Sequence, residues 1–141
     1  MNQPVPVLSV DELNQFLADA FDSHRPYRVE AIDPGSVLVT MQPDMLTLRP
    51  GDTVAGPSLM MLADATAYAV VLAHVGRVAL AVTSNLDINF LRKTPRARLT
   101  ARAELLKLGR RLALTDVRIT SDAHDDLVAQ ATVTYAIPQE G

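Results

Sequence analysis

The stretch GPSLMMLADATAYAVVLAHVG, residues Gly56–Gly76, decides the fold of this chain. Nearly every residue from Leu59 to Val75 is apolar or small, which is typical of a helix that is buried on all sides rather than along one stripe. Pro57 suits the first turn of a helix, where its missing N–H does no harm, and Gly76 suits the end. We therefore predict a central helix over about 57–75.

A single carboxylate, Asp64, lies inside this apolar helix. Burial of an unpaired carboxylate is costly, so such a group normally has hydrogen-bond partners or serves in chemistry. In the structural interpretation, Asp64 hydrogen-bonds Tyr68, one turn later, or a nearby threonine. In the functional interpretation it is a catalytic acid that faces a cleft. The residues alone leave both interpretations open.

Composition limits the class of protein. The 141 residues, 48% of them hydrophobic, fit one domain over 1–141, and the net charge of −3 with few aromatic residues argues against nucleic-acid binding. The chain has no cysteine, which excludes disulfides and thiolate metal sites. The first residues lack the features of a signal peptide, so a cytoplasmic protein is expected. The 59–75 stretch is shorter than the roughly 20 residues of a membrane span, and no membrane association is expected.

The remaining chain predicts one further helix and a series of strands. Ser9 followed by Glu12 forms a capping-box pattern, and apolar residues then recur at helical spacing, so a helix is predicted over about 10–22. Residues 43–56 are predicted to be a long connection of the kind that is often functional. The order predicts a curved antiparallel sheet wrapped around the central helix. The predicted strands are 25–33, 36–42, 78–92, 97–108, 110–120 and 127–137.

Two finer expectations concern side-chain placement. In the 78–92 strand, a period of two puts Val82 and Leu86 on one face and Thr83 and Asn85 on the other, as in a half-buried strand. His74 is expected near the exposed end of the central helix. Together with His24 and His124 it shows no ligand spacing, so no metal site is expected.

Four segments carry a family resemblance: AGPSLMMLADATAYA, AVTSNLDINFLRK, LLKLGRRLALTDVRI and LVAQATVTYAI, in this order within residues 51–137. Together they resemble the PaaI-like acyl-CoA thioesterases, a hotdog-fold group related to the 4-hydroxybenzoyl-CoA thioesterases. The resemblance implies an α+β hotdog fold, here with an extra N-terminal helix. It also implies hydrolysis of an acyl- or aryl-CoA without a cofactor, coenzyme A being part of the substrate.

The resemblance assigns roles to particular residues. Gly56 would offer its N–H to the thioester carbonyl, Asp64 would act as general base or as nucleophile, and Thr83 would help to place the nucleophile. The family pattern has His and Gly where this chain has Ala55 and Pro57, so one carbonyl-positioning group is missing. Substrate-binding candidates are Arg49, Pro57, Asn85, Arg92, Lys93, Gly109 and Arg110. For the charged residues among them, solvated turn positions are an equally good interpretation.

Helix geometry adds a condition to this mechanism. Eight residues separate Gly56 from Asp64, which is roughly 12 Å along a helix at about 1.5 Å per residue. One carbonyl cannot contact both residues of the same helix, so shared sites in a homodimer, or in a dimer of dimers, are expected. The alternative is a non-catalytic hotdog protein that binds acyl-CoA or another apolar ligand, which Ala55 favours. A hotdog dehydratase would need a histidine with an acid partner, which the sequence does not show.

Overall fold

A computed structural model describes residues 3–21 and 25–139 of the chain. Over these ranges it contains two α-helices, a short 3₁₀ turn at Pro43–Met45 and eight strands. The elements are α1 (Val10–Ala20), β1 (Tyr27–Asp33), β2 (Ser36–Met41), β3 (Leu48–Arg49), β4 (Thr53–Val54), α2 (Gly56–Val75), β5 (Val82–Phe90), β6 (Leu99–Leu108), β7 (Leu112–Ser121) and β8 (His124–Ala136). The predicted order is confirmed, with β3 and β4 as an addition.

Six of the strands form one antiparallel sheet in the order β1-β2-β6-β7-β8-β5. Helix α2 packs against all six. Side chains that alternate along each strand form the apolar face of the sheet on which α2 packs. On β7 the fully buried residues are Ala113, Thr115, Val117 and Ile119, while the residues between them face away from the helix. The predicted sheet wrapped around a central helix is therefore confirmed.

The central helix α2 is covered unevenly along its length. It begins at Gly56, one residue before the predicted start, and ends before Gly76, whose φ of 101° requires a residue without a side chain. By length and composition it could cross a membrane, but 72% of its apolar window is buried inside this protein. Every residue over 66–74 is buried. The uncovered positions form a stripe along its first half at 56, 57, 60, 61, 64 and 65.

Helix α1 closes one edge of the sheet. Its capping box is formed as predicted: Glu12 N–H donates to Ser9 Oγ over 3.1 Å, and Ser9 N–H donates to Glu12 Oε1 over 3.0 Å. The helix ends at Ala20, and position 22 of its predicted span lies outside the described residues. The Asn14 side chain accepts from Val29 N–H over 3.1 Å and donates to Val29 O over 2.9 Å. The amide therefore takes the place of a neighbouring strand beside β1.

Strand β5 forms the opposite edge and corrects the prediction of a half-buried strand. It pairs only with β8 among the described strands, and seven of its nine residues are exposed. A bulge between Thr83 and Asn85 shifts the alternation, so Thr83 pairs with buried Tyr135 and shares the inner face with Leu86. The prediction that these two residues lie on opposite faces is wrong, because a period of two does not survive an inserted residue.

The 43–56 segment contains the β3–β4 hairpin, which fixes the start of α2. Gly51 and Asp52 turn the chain with φ values of 93° and 57°. Ser58 Oγ accepts from Thr47 N–H over 3.0 Å, and Ala55 N–H donates to Thr47 O over 2.8 Å. The first turn of α2 is thus held by its own preceding loop.

His74 lies in the last turn of α2, as expected, but its side chain is buried, with 7% of its surface exposed, so this end of the helix is not exposed at His74. Its Nε2 accepts from Gly35 N–H over 2.9 Å, which leaves Nδ1 as the donor to Val70 O at 2.8 Å. The imidazole joins the β1–β2 turn to α2. Burial follows because two backbone partners satisfy both ring nitrogens.

Candidate active site

The carboxylate of Asp64 is held on one oxygen. Thr83 Oγ1 donates to Asp64 Oδ1 over 2.6 Å, and Tyr135 hydroxyl donates to the same oxygen over 2.8 Å. No hydrogen bond to Oδ2 is formed by the described residues. Asp64 is only partly buried, so Oδ2 is available to a molecule that enters from outside. This arrangement leaves one carboxylate oxygen fixed and the other able to accept a proton.

The structural alternative for Asp64 is partly realised. Tyr68, its suggested partner, instead donates its hydroxyl to Ala79 O over 3.1 Å. The threonine partner is present as Thr83, which was also the candidate for placing the nucleophile. The contact alone fits both interpretations, but its position beside an open cavity favours chemistry.

The first cavity, of about 530 Å³, has Asp64 and Thr83 in its wall together with four aromatic side chains and several aliphatic ones. All three tyrosines of the chain line it, together with Phe21. The rings are packed in a row: Phe21 meets Tyr68 edge-on at 5.6 Å, and Tyr68 lies 5.6 Å from Tyr135 at 40°. Edge-on and tilted contacts of this kind are favourable. The cavity therefore combines one carboxylate with an apolar wall suited to an acyl or aryl group.

The tyrosine hydroxyls of this cavity remain protonated. Burial raises the pKa of Tyr68 to about 12. Burial also raises the pKa of Tyr135, with a further increase from the negative charge of Asp64. Burial and the Asp64 charge raise the pKa of Tyr27, against the opposing effect of Arg25. At neutral pH these groups are hydrogen-bond donors rather than phenolates.

A second cavity, of about 400 Å³, lies at the start of α2 and contains Gly56. Its wall includes Phe90 and three cations, Arg49, Arg92 and Lys93. A Cβ on Gly56 would lie 3.4 Å from the Phe90 ring, so the glycine keeps the backbone approachable. Gly56 is the first residue of α2, and its N–H has no acceptor among the described residues. This end of the helix offers donors and positive charge.

The two cavities separate the residues that the sequence nominates for one reaction. Asp64 and Thr83 lie in the first cavity and Gly56 in the second, at opposite ends of β5. Ala55, at the position of the family histidine, is the N-cap of α2 and makes no side-chain cap. Within one chain, no described cavity contains both Gly56 and Asp64.

The other predicted binding residues are dispersed. Pro57 lies in the first turn of α2 on its uncovered stripe. Asn85 pairs with Thr134, on the face of the sheet away from α2. Gly109 and Arg110 form the β6–β7 turn, where Gln139 Nε2 donates to Arg110 O over 2.6 Å. These four residues line neither of the two cavities.

Tyr135 is the residue that sequence reasoning missed. In LVAQATVTYAI it occupies a regular inward position of a strand, and nothing local distinguishes it from a core residue. The only available signal is that a buried tyrosine needs a partner for its hydroxyl. Among the described residues, no group of three or more potential ligands is placed to hold a metal ion, and His24 lies outside them.

Comparison with known proteins agrees with this architecture. The model of the thioesterase superfamily matches residues 51–128. A candidate thioesterase from Silicibacter sp. TM1040 is 40% identical, with a TM-score of 0.89 over 97% of this chain and 96% of that one.

Two further solved structures are more distant. A candidate thioesterase related to phenylacetic acid degradation, from Ralstonia eutropha JMP134, is 28% identical, with a TM-score of 0.70 over 79% of this chain and 84% of that one. A hypothetical thioesterase from Streptococcus pneumoniae TIGR4, solved with coenzyme A, is 26% identical, with a TM-score of 0.66 over 81% and 90%. The resemblance to PaaI-like proteins is confirmed, and the chain belongs to the thioesterase superfamily as a hotdog-fold hydrolase.

Proposed function

We propose that the protein hydrolyses the thioester of an acyl- or aryl-CoA, with Asp64 as general base. Water gives a proton to Asp64 Oδ2 as its oxygen bonds to the thioester carbonyl carbon. The tetrahedral intermediate then breaks its carbon–sulfur bond, and the departing thiolate takes up the proton, which yields a carboxylic acid and coenzyme A. The observation that carries the proposal is the Asp64 carboxylate, anchored by Thr83 at 2.6 Å and open to the aromatic cavity.

The oxyanion donor in this proposal is the Gly56 N–H of a second copy of the chain. Asp64 and Gly56 of one chain lie in different cavities, so a site that uses both residues must combine two chains. The uncovered stripe of α2 contains both residues and is flanked by the open edge of β5. An uncovered helix stripe beside a strand whose outer edge is unpaired among the described residues is a surface that a second copy can cover.

The open strand also suggests a register for this pairing. Thr83 lies near the start of β5 in the first cavity, and Phe90 ends the strand in the second. Because the bulge shifts Thr83 by one position, a two-fold axis beside Asp87 places Thr83 of one copy opposite Phe90 of the other. Both composite sites then form together, one on each side of the axis, because a two-fold contact is used twice.

The cations around Gly56 are proposed to receive the phosphates of coenzyme A. Arg49, Arg92 and Lys93 share the second cavity. Arg92 makes an ion pair with Asp126 at 3.5 Å, but both side chains are more than half exposed. An exposed pair of this kind contributes little, so Arg92 can exchange its partner for a phosphate. The coenzyme A bound to the Streptococcus pneumoniae relative makes this ligand class reasonable.

A test of the composite site uses two inactive variants with lesions in different cavities. Asp64→Asn removes the base, and Gly56→Val crowds the carbonyl position. Hydrolysis of a panel of acyl- and aryl-CoAs is measured for each variant alone and for mixed dimers purified through two different tags. Each variant alone is expected to be inactive. Mixed dimers should recover about half of the wild-type activity, since one of their two sites has both groups intact.

The matched control is the pair Asp64→Asn and Thr83→Val, whose lesions lie in the same cavity and leave no intact site in a mixed dimer. If mixed dimers of Asp64→Asn and Gly56→Val are no more active than either variant alone, Asp64 and Gly56 do not serve one shared site. Full activity of Asp64→Asn alone would exclude Asp64 as the base. The non-catalytic alternative, which Ala55 favours, predicts that the wild type binds coenzyme A esters without converting any of them.

A further inference from the structure

Tyr135 is a buried tyrosine whose hydroxyl contacts the carboxylate of Asp64. It lies on β8, one strand inside the open edge, and only 4% of its surface is exposed. Thr83 is its cross-strand partner, so two hydroxyl-bearing side chains stand side by side on the inner face of the sheet. Both point at one atom, Asp64 Oδ1, at 2.8 Å and 2.6 Å.

We propose that Tyr135 is a positioning residue of the hydrolase: its hydroxyl fixes Asp64 Oδ1 and so presents Oδ2 to water. The inference rests on the proposed function of Asp64 as general base. A carboxylate on a single rotatable bond exchanges its two oxygens by rotation unless one is held. Two donors on Oδ1 remove that freedom and leave Oδ2 with its lone pairs unused.

The surroundings of Tyr135 suit this task. Its ring packs against Tyr68, which is itself anchored because its hydroxyl donates to Ala79 O. The Tyr135 hydroxyl also lies 3.2 Å from Asp64 O, so it is aimed at the helix turn that carries the base. Because burial raises the pKa of Tyr135, it remains a donor throughout the pH range in which a carboxylate base works.

The contact matters most while the proton is on Asp64. As water transfers its proton to Oδ2, Oδ1 becomes the carbonyl oxygen of a carboxylic acid and still accepts hydrogen bonds from both hydroxyls. The side chain therefore keeps its orientation until the proton moves on to the thiolate. Loss of one donor lets the acid rotate, which lowers the fraction of turnovers that start from the productive geometry.

The test compares Tyr135→Phe with Thr115→Val, two variants that each remove one buried hydroxyl from the inner face of the sheet. Only the first removes a hydroxyl that touches Asp64, because the Thr115 hydroxyl donates to Val133 O over 2.9 Å. Tyr135→Phe should lower kcat about ten-fold and leave KM within about two-fold, since positioning is lost but the ring in the cavity wall is kept. Thr115→Val should leave kcat within about two-fold. A change in KM alone for Tyr135→Phe, or an unchanged kcat, would overturn the proposal.

A second measurement does not depend on turnover. The free energy of unfolding is measured for Tyr135→Phe, Asp64→Asn and the double variant. If the hydroxyl acts on the carboxylate, the two single effects are non-additive, whereas additive effects overturn the contact. Should the wild type convert no thioester at all, the proposed function fails, and this cycle still decides whether Tyr135 holds Asp64.

Discussion

The two edges of the sheet are treated in opposite ways. At the β1 edge, the Asn14 amide pairs with both backbone groups of Val29, and Arg25 Nη2 in turn donates to Asn14 Oδ1 over 2.9 Å. At the β5 edge, the described residues provide no such cover, and seven of nine strand residues are exposed. Proteins usually protect a free edge because it can pair with another chain. The difference indicates that Asn14 prevents another strand from pairing with β1. It supports the proposal that β5 pairs with a second copy of the chain.

The largest effect on association and on kcat is expected from Ile88→Pro, which removes a hydrogen-bond donor from the open edge of β5. Leu91 N–H donates to Val128 O, so alternation along β5 turns the Ile88 N–H away from β8 and toward the proposed second copy. Proline removes that donor, the copies should separate, and kcat should fall by at least about 100-fold with the loss of the Gly56 donor. Analytical ultracentrifugation and the hydrolysis assay measure the two effects.

Ile88→Ala is the matched variant for this experiment. Like Ile88→Pro, it removes the isoleucine side chain, but it keeps the backbone N–H, so association should persist. Circular dichroism checks that both variants fold. A folded Ile88→Pro protein that remains associated and active would show that the copies do not meet along β5.

A smaller effect is expected at the closed edge, from Asn14→Ala. The change leaves both the N–H and the C=O of buried Val29 without their side-chain partner. The free energy of unfolding should fall by about 1–3 kcal/mol, the cost of unsatisfied buried groups. Urea unfolding measures it, with Gln15→Ala on the exposed side of α1 as the control. Equal stability of the two variants would mean that Asn14 does not protect this edge.

The smallest effect concerns the cap that holds α1 over β1. Ser9→Ala removes the oxygen that accepts from Glu12 N–H and should lower the free energy of unfolding by about 1 kcal/mol. Thermal unfolding at neutral pH measures this change. If the melting temperature does not move, the cap is not needed to keep α1 in place.

The same cap adds a dependence on pH. The backbone and side chain of Ser9, and then Arg77, lower the pKa of Glu12 from 4.5. A lowered folded-state pKa gives stability that is present above about 4.5 and is lost as the pH falls through the folded value. The difference in stability between wild type and Glu12→Gln, which removes the titrating group, should therefore narrow in acid, and a constant difference from pH 7 to pH 3 (roughly four units) would contradict this origin.

The sequence predicts the fold well because its strongest patterns are local. The apolar run of α2, the Ser9 capping box and the strand alternation each depend on neighbours within a few residues. Thr83 shows the limit of this reasoning, because the β5 bulge that turns it toward Asp64 has no sequence signal of its own. Tyr135 shows the same limit, since its role depends on a register between strands about fifty residues apart in the chain.

The unequal edges also explain which site predictions can be assessed within one chain. Asp64 and Thr83 meet within a single copy, so the structure places them together. The proposed partner of Asp64 is Gly56 across the open edge, and that contact stays a prediction until the two copies are observed together. Arg110 and Asn85 likewise remain predictions.

The placement of all three tyrosines around one cavity, in a chain without tryptophan, has a practical consequence. Ultraviolet emission from this protein comes from tyrosines, and every one of them borders the cavity that holds Asp64. Quenching or enhancement on adding a ligand therefore reports occupancy of that single location, so the unlabelled molecule serves as its own optical sensor.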